Sequence, residues 1–145
     1  MQLRTEVEID APAASVWDVL TDFKAYHEWN PFITSVAGKL AVGETLEVKL
    51  ATTDGKEFTF KPSVLVVEPA RELRWRGKLW VKGLFDGEHF FQLSDAPGGG
   101  TRLLHGEDFG GILLKLMGNV LTDTARGFVG MNQALKRRVE RPASR

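Results

Sequence analysis

The chain has no cysteine among its 145 residues, and that absence removes disulfides, thiol nucleophiles and thiolate metal sites together. It has no excess charge of either sign. Nineteen lysines and arginines stand against nineteen aspartates and glutamates, a balance that argues against nucleic acid as a main partner. No run of about 18 apolar residues occurs, so no segment reads as a membrane span. The first ten residues, MQLRTEVEID, alternate polar and apolar and contain no apolar block, so no secretory leader is read and a cytoplasmic protein is expected. Histidines number three. They fall in no H-E-x-x-H or other paired spacing, and no serine-centred elbow is present. Metal hydrolysis and serine catalysis therefore find no motif, and neither a metal nor a cofactor is expected. Gly98, Gly99 and Gly100 follow Asp95 and Pro97 and read as a hairpin turn rather than a phosphate cradle.

What is present is ordinary soluble-protein material, 43% hydrophobic and 26% charged, enough for one domain with a real core. That domain is expected over residues 1–141, with 142–145 as a frayed tail. The last long stretch, residues 110–141, carries apolar or small residues at Leu113, Met117, Val120, Thr124, Phe128, Met131, Leu135 and Val139. Steps of three and four predict one long helix with a buried stripe. Lys136, Arg137 and Arg138 near its end suit the helix dipole and read as a solvated terminus, and Pro142 is a plausible stop. Gly118, Gly127 and Gly130 each weaken the helix by about 1 kcal/mol relative to alanine. They imply either a bend or a close approach of the sheet.

The rest of the chain has the period of strands. Leu3, Thr5, Val7 and Ile9 alternate with charged residues and predict a half-buried first strand. Two short helices follow, one opened by Pro12 with Asp10 as a possible cap, the other over Phe23 to His27 and ended by Trp29-Asn30-Pro31. From Leu46 to Phe109 the alternation is period two, broken by turn residues at Asp54-Gly55 and 95–100, with Pro62 marking a bulge or an edge strand. A turn near Val81-Lys82-Gly83 would set Arg76 opposite Glu88, Lys78 opposite Asp86 and Trp75 opposite His89. The charged pairs then lie on a solvated convex face, where each is worth about 0.2–1 kcal/mol. The architecture predicted from these elements is α+β: a curved antiparallel sheet of about seven strands wrapped around the long C-terminal helix, with two short helices after the first strand.

The same register puts two polar residues on apolar stripes. His89 shares its face with Phe85, Phe91 and Leu93; Glu107 shares its face with Leu103 and Phe109. The hairpin between them can set His89 opposite or diagonal to Glu107, with His105 in its place if the register slips by two. Burial of such groups requires a partner. A His–Glu pair is either a buried strut tying sheet to helix, or an anchor or acid/base pair inside a cavity. Trp29 reads first as packing of the short helices and second as a gate at a cavity mouth.

Three stretches resemble one superfamily. IDAPAASVWDVLTDFKAYHEWNPFI (9–33), VVEPARELRWRG (66–77) and GEHFFQLSDAPGGGTRLLHGEDFGG (87–111) are similar to the START and pollen-allergen-like group, SRPBCC, in its polyketide cyclase/dehydrase-like branch. The head A-P-x-x-x-V-W-x-x-L-T-D-F with a following W-N-P carries most of the likeness. The resemblance implies a helix-grip fold with a cavity between sheet and C-terminal helix, and binding or transport of a lipid, sterol or polyketide-like molecule. The residues expected to line it are Trp29, Phe58, Phe60, Trp75, Phe85, His89, Phe91, Glu107, Met117, Leu121 and Phe128. Two alternatives stand beside this. One is a cyclase or dehydratase using His89 and Glu107, and the other is an interaction module with a filled core and no ligand; oligomeric state is left open.

Overall fold

A computed structural model describes residues 2–52, 55–78, 86–110 and 118–141. The alternating first segment forms β1 (Gln2–Ile9), with Val7 and Ile9 buried and Arg4, Glu6 and Glu8 exposed. Pro12 then starts α1 (Ala13–Thr21), its fixed φ suiting the position before the first turn. Asp10 does not cap this helix. Its backbone N–H instead donates to Glu140 Oε2 at 2.7 Å, tying the turn to the far end of the chain. The second helical segment splits into a 3-10 turn (Phe23–Ala25) and a single α-turn, α2 (Tyr26–Trp29). Tyr26 is fully buried, and its hydroxyl donates to the Leu20 carbonyl.

Eight strands are present among the described residues, one more than the period-two signal counted. The extra one is β2 (Ile33–Ala37), too short and mixed to announce itself. It pairs with β3 (Glu47–Ala51), which pairs with β4 (Glu57–Phe60), forming a three-stranded sheet. The remaining strands are β5 (Ser63–Glu68), β6 (Glu72–Lys78), β7 (Asp86–Asp95) and β8 (Thr101–Gly110). They form a five-stranded antiparallel sheet in the order β1-β8-β7-β6-β5. Pro62 sits at the joint of the two sheets. Its carbonyl accepts from the Leu46 N–H at 2.9 Å, and a bulge follows in β5 between Val64 and Val66. The turn predicted at Val81-Lys82-Gly83, and Asp54 of the one predicted at Asp54-Gly55, lie outside the described residues, yet the predicted register holds: Arg76 faces Glu88, Lys78 faces Asp86 and Trp75 faces His89.

The long helix, α3, is described over Gly118–Glu140; Gly110, expected at its start, is instead the last residue of β8, and Leu113 and Met117 of the apolar stripe lie outside the described residues. At 1.5 Å per residue the described helix spans roughly 35 Å. Phe128, Met131 and Leu135 are fully buried, and α3 packs across β1, α1 and β8. Of its glycines, Gly127 has a steric role: a β-carbon there would overlap the ring of Phe32, which leads into β2. The close approach is therefore by an aromatic side chain, not by the sheet. Lys136 and Arg138 of the basic run are engaged within the chain, Lys136 with the Glu8 carbonyl at 2.8 Å and Arg138 with Glu28 at 2.8 Å.

Candidate functional site

Alternation along β1, β8, β7, β6 and β5 delivers a row of side chains across the concave face: Leu3, Glu107, His89, Trp75 and Val64 are successive cross-strand partners. The next row holds Thr5, His105, Phe91 and Leu73. Both rows are apolar except at Thr5, His105, His89 and Glu107, and those four, with one residue from α3, form a continuous hydrogen-bonded chain. Glu107 Oε1 lies 3.2 Å from His89 Nδ1, and His89 Nε2 lies 2.7 Å from His105 Nε2. His105 Nδ1 lies 2.7 Å from Asn132 Oδ1, Asn132 Nδ2 donates to Thr5 Oγ1 at 2.8 Å, and Thr5 Oγ1 donates to the His105 carbonyl at 2.7 Å.

Aromatic rings enclose the two imidazoles. Phe128 stacks on His105 at 4.1 Å between centroids, and Phe91 stacks on its other flank at 4.3 Å. Trp75 stacks on His89 at 5.2 Å. In such surroundings the charged forms lose hydration without replacement. Burial holds His89 down at about 3, and burial together with the neighbouring His89 keeps His105 well below the ordinary value of 6.5. Burial, reinforced by Asp108 on the other face, lifts the Glu107 carboxyl to about 8. At neutral pH the chain is thus two neutral imidazoles ending in a carboxylic acid.

That acid is less enclosed than its imidazole partner: its side chain keeps 16% of its exposure, against 6% for His89. Its carboxyl folds over the strand at Gly87, where a β-carbon would overlap Oε2. Gly77, directly across from Gly87, is covered by the Phe60 ring, with ring carbons 3.2 Å from where its β-carbon would be. Phe109, on the other side of Gly87, is buried. The indole N–H of Trp75, a residue only 1% exposed, has no partner among the described residues.

Of the residues expected to line a cavity, Trp75, His89, Phe91, Glu107 and Phe128 are brought together, and Phe60 stands beside them. Phe58 is not enclosed: β4 is the outermost strand of its sheet, and the ring is 47% exposed despite facing the same way as Phe60. Trp29 packs edge-on against Tyr26 at 5.2 Å, in the aromatic cluster of the short helices. Phe85 and Met117 lie outside the described residues, as does the side chain of Leu121. His105 is not an alternative to His89 but its partner. Asn132 was missed because the stripe was read through Met131. It lies four residues after Phe128 and three before Leu135, so a polar residue at helical spacing on the buried face was its signal.

The outer face is chemically different. Arg74 reaches Glu72 at 2.8 Å, Glu88 at 3.1 Å and Asp108 at 3.3 Å, and lies over the Phe90 ring at 4.7 Å. A shallow groove of about 350 Å³ on that face is lined by Glu6, Arg71, Glu72, Gln92, Ser94 and Arg102. Leu93 and Leu104 form its apolar part, and charged residues surround them.

Several solved structures share this fold. The protein Ms6760 from Mycobacterium smegmatis superposes with a TM-score of 0.78 at 15% identity, over 99% of this chain and 93% of that one. The ZhuI aromatase/cyclase from Streptomyces sp. R1128 superposes with a TM-score of 0.78 at 18% identity, over 97% of this chain and 94% of that one. The di-domain aromatase/cyclase BexL of the BE-7585A biosynthetic pathway gives a TM-score of 0.76 at 17% identity, with 99% of this chain covering 51% of that one, so the chain spans about half of BexL. Among curated proteins, none matches the sequence. Identities this low speak for the fold alone. The family model for polyketide cyclase/dehydrase and lipid transport, however, matches residues 1–141. With the helix-grip fold and the matching head motif, it shows that this chain belongs to the polyketide cyclase/dehydrase and lipid transport family, within the START-like SRPBCC group.

Proposed function

We propose that the protein binds a neutral hydrophobic small molecule on the concave side of the five-stranded sheet, with Glu107 as the polar end of the site. One observation carries this reading: a carboxyl group at the end of a buried chain of hydrogen bonds, on a face otherwise made of apolar side chains outside that chain, keeps part of its surface accessible. An incompletely paired polar group in apolar surroundings costs about 1–3 kcal/mol, and a polar group of a ligand that reaches the accessible oxygen would remove that cost. The aromatic walls from Phe60 and Phe109, packed beside the glycine pair Gly77 and Gly87, suit a flat or elongated apolar body. Membership of a family that includes lipid carriers and polyketide-processing proteins supports the same class of ligand.

A second reading is favoured by a specific feature. A carboxylic acid that titrates near 8 beside an imidazole is poised to give up or take a proton at neutral pH, as general acid–base catalysis requires. Turnover of a bound polyketide-like substrate that falls in Glu107→Gln while binding persists would establish it.

The binding reading is tested by titrating N-phenyl-1-naphthylamine into the 15N-labelled protein and following backbone amide shifts. Saturable shifts at Gly77, Gly87, Glu107 and Phe109 are expected. Shifts confined to Arg71, Ser94 and Arg102 on the outer face, or none at all, would overturn it.

A further inference from the structure

The direction of the hydrogen-bonded chain can be read from its far end, and it determines what Glu107 offers a ligand. The His105 carbonyl can only accept, so the single hydroxyl proton of Thr5 lies between them. Thr5 Oγ1 is left to accept, so the Asn132 group facing it is the amide NH2, and the amide oxygen is turned to His105 Nδ1. That oxygen carries no proton, so His105 is protonated on Nδ1. A neutral His105 then has a bare Nε2, and the 2.7 Å contact between the two rings takes its proton from His89 Nε2. At the next contact one proton is shared between His89 Nδ1 and Glu107 Oε1, whichever atom carries it. Glu107 Oε2 has no proton in either case. A proton on Oε2 would require N–H at His89 Nδ1, and with it either two Nε2 lone pairs opposed at 2.7 Å or an imidazolium without an anion.

Building on the binding role of the concave face, we propose that Glu107 Oε2 is an obligate hydrogen-bond acceptor. The site therefore selects apolar molecules that present a hydroxyl group, and Thr5 is the positioning residue that sets this polarity from across the sheet. Oε2 makes no hydrogen bond to any described residue, and it rests on the strand at Gly87 beside Phe109. A ligand with only ether or ketone oxygens would set acceptor against acceptor there, leaving both unpaired.

Two measurements test this. In the imidazole 15N spectrum the rings should be opposite tautomers, His89 protonated on Nε2 and His105 on Nδ1. The same tautomer in both rings, or the reverse assignment, overturns the proposal. The second measurement compares 2-naphthol with 2-methoxynaphthalene, the same rings with and without a donor. Naphthol should bind about tenfold more tightly. The preference should survive in Glu107→Gln, whose amide NH2 can serve His89 while its oxygen faces the ligand, and should vanish in Glu107→Leu. In Thr5→Val the tautomers should mix and the preference shrink, whereas a merely structural Thr5 would lower the melting temperature and leave both untouched. Equal binding of the two compounds to the unaltered protein overturns the selectivity and leaves the apolar site standing. Binding of neither overturns both readings.

Discussion

Each buried polar side chain of the concave face faces a partner on a different strand or helix, and this makes their protonation a property of folding. His89 and His105 are held neutral in the folded chain, but ordinary histidines of 6.5 in the unfolded one. Below that pH the unfolded state binds the extra protons, so stability falls as pH drops toward about 3. Glu107 acts in the opposite sense. Its carboxyl is protonated in the folded protein up to about 8 but ionises from 4.5 in the unfolded chain, so stability falls as pH rises between those values. The two slopes cancel where two unfolded histidines together hold one proton, which is at 6.5. The cluster's contribution should therefore peak near that pH and decline by about 1 kcal/mol toward pH 8. Urea melts from pH 4 to pH 9 would show this, and Glu107→Gln should abolish the alkaline decline while keeping the acid one. An unchanged alkaline limb in that variant would mean that Glu107 is already ionised in the folded state.

At the scale of elements, α3 is the part that closes the core, and two substitutions probe different properties of it. Leu135 is fully buried on the face that meets the sheet, so Leu135→Ala should cost about 2–5 kcal/mol in a denaturant melt. Gly127 tests whether packing overrides helix propensity. In an exposed helix glycine to alanine would gain about 1 kcal/mol. Here the added methyl meets the Phe32 ring, whose own neighbour at 5.5 Å is Phe128. Gly127→Ala should therefore destabilise by about 1–3 kcal/mol, and the loss should shrink in the Phe32→Leu background, which frees the space. A stabilised single variant would show that the ring can move away without cost.

For the molecule as a whole, the five-stranded sheet separates two kinds of surface. The concave side carries rings and a neutral proton chain; the convex side carries ion pairs around Arg74 and an open groove with charged residues around it. Exposed ion pairs on such a face contribute little, because water screens them and side-chain entropy opposes them. Arg76→Gln on the convex side should change stability by at most about 1 kcal/mol and leave the N-phenyl-1-naphthylamine titration unaltered. A weakened titration would move the ligand to the outer face.

Much of this was legible along the chain. Alternation and turn residues were enough for the register of β6 on β7, since a strand slipped by one would turn Trp75, His89 and Phe91 into water. The same alternation put His89 and Glu107 on the inner face, and steps of three and four along 110–141 predicted the long helix that covers it. Neither pattern could say that α3 begins beyond Gly110, because small and apolar residues at 110–117 suit either element, or that β2 exists as a separate strand. Least accessible was the direction of the hydrogen-bonded chain. Thr5, His105 and Asn132 come from β1, β8 and α3, and each side chain on its own can turn either its donor or its acceptor outward. Only the packing of those three elements brings the Thr5 hydroxyl onto a carbonyl that cannot donate. From that one contact the orientation of every group as far as Glu107 follows.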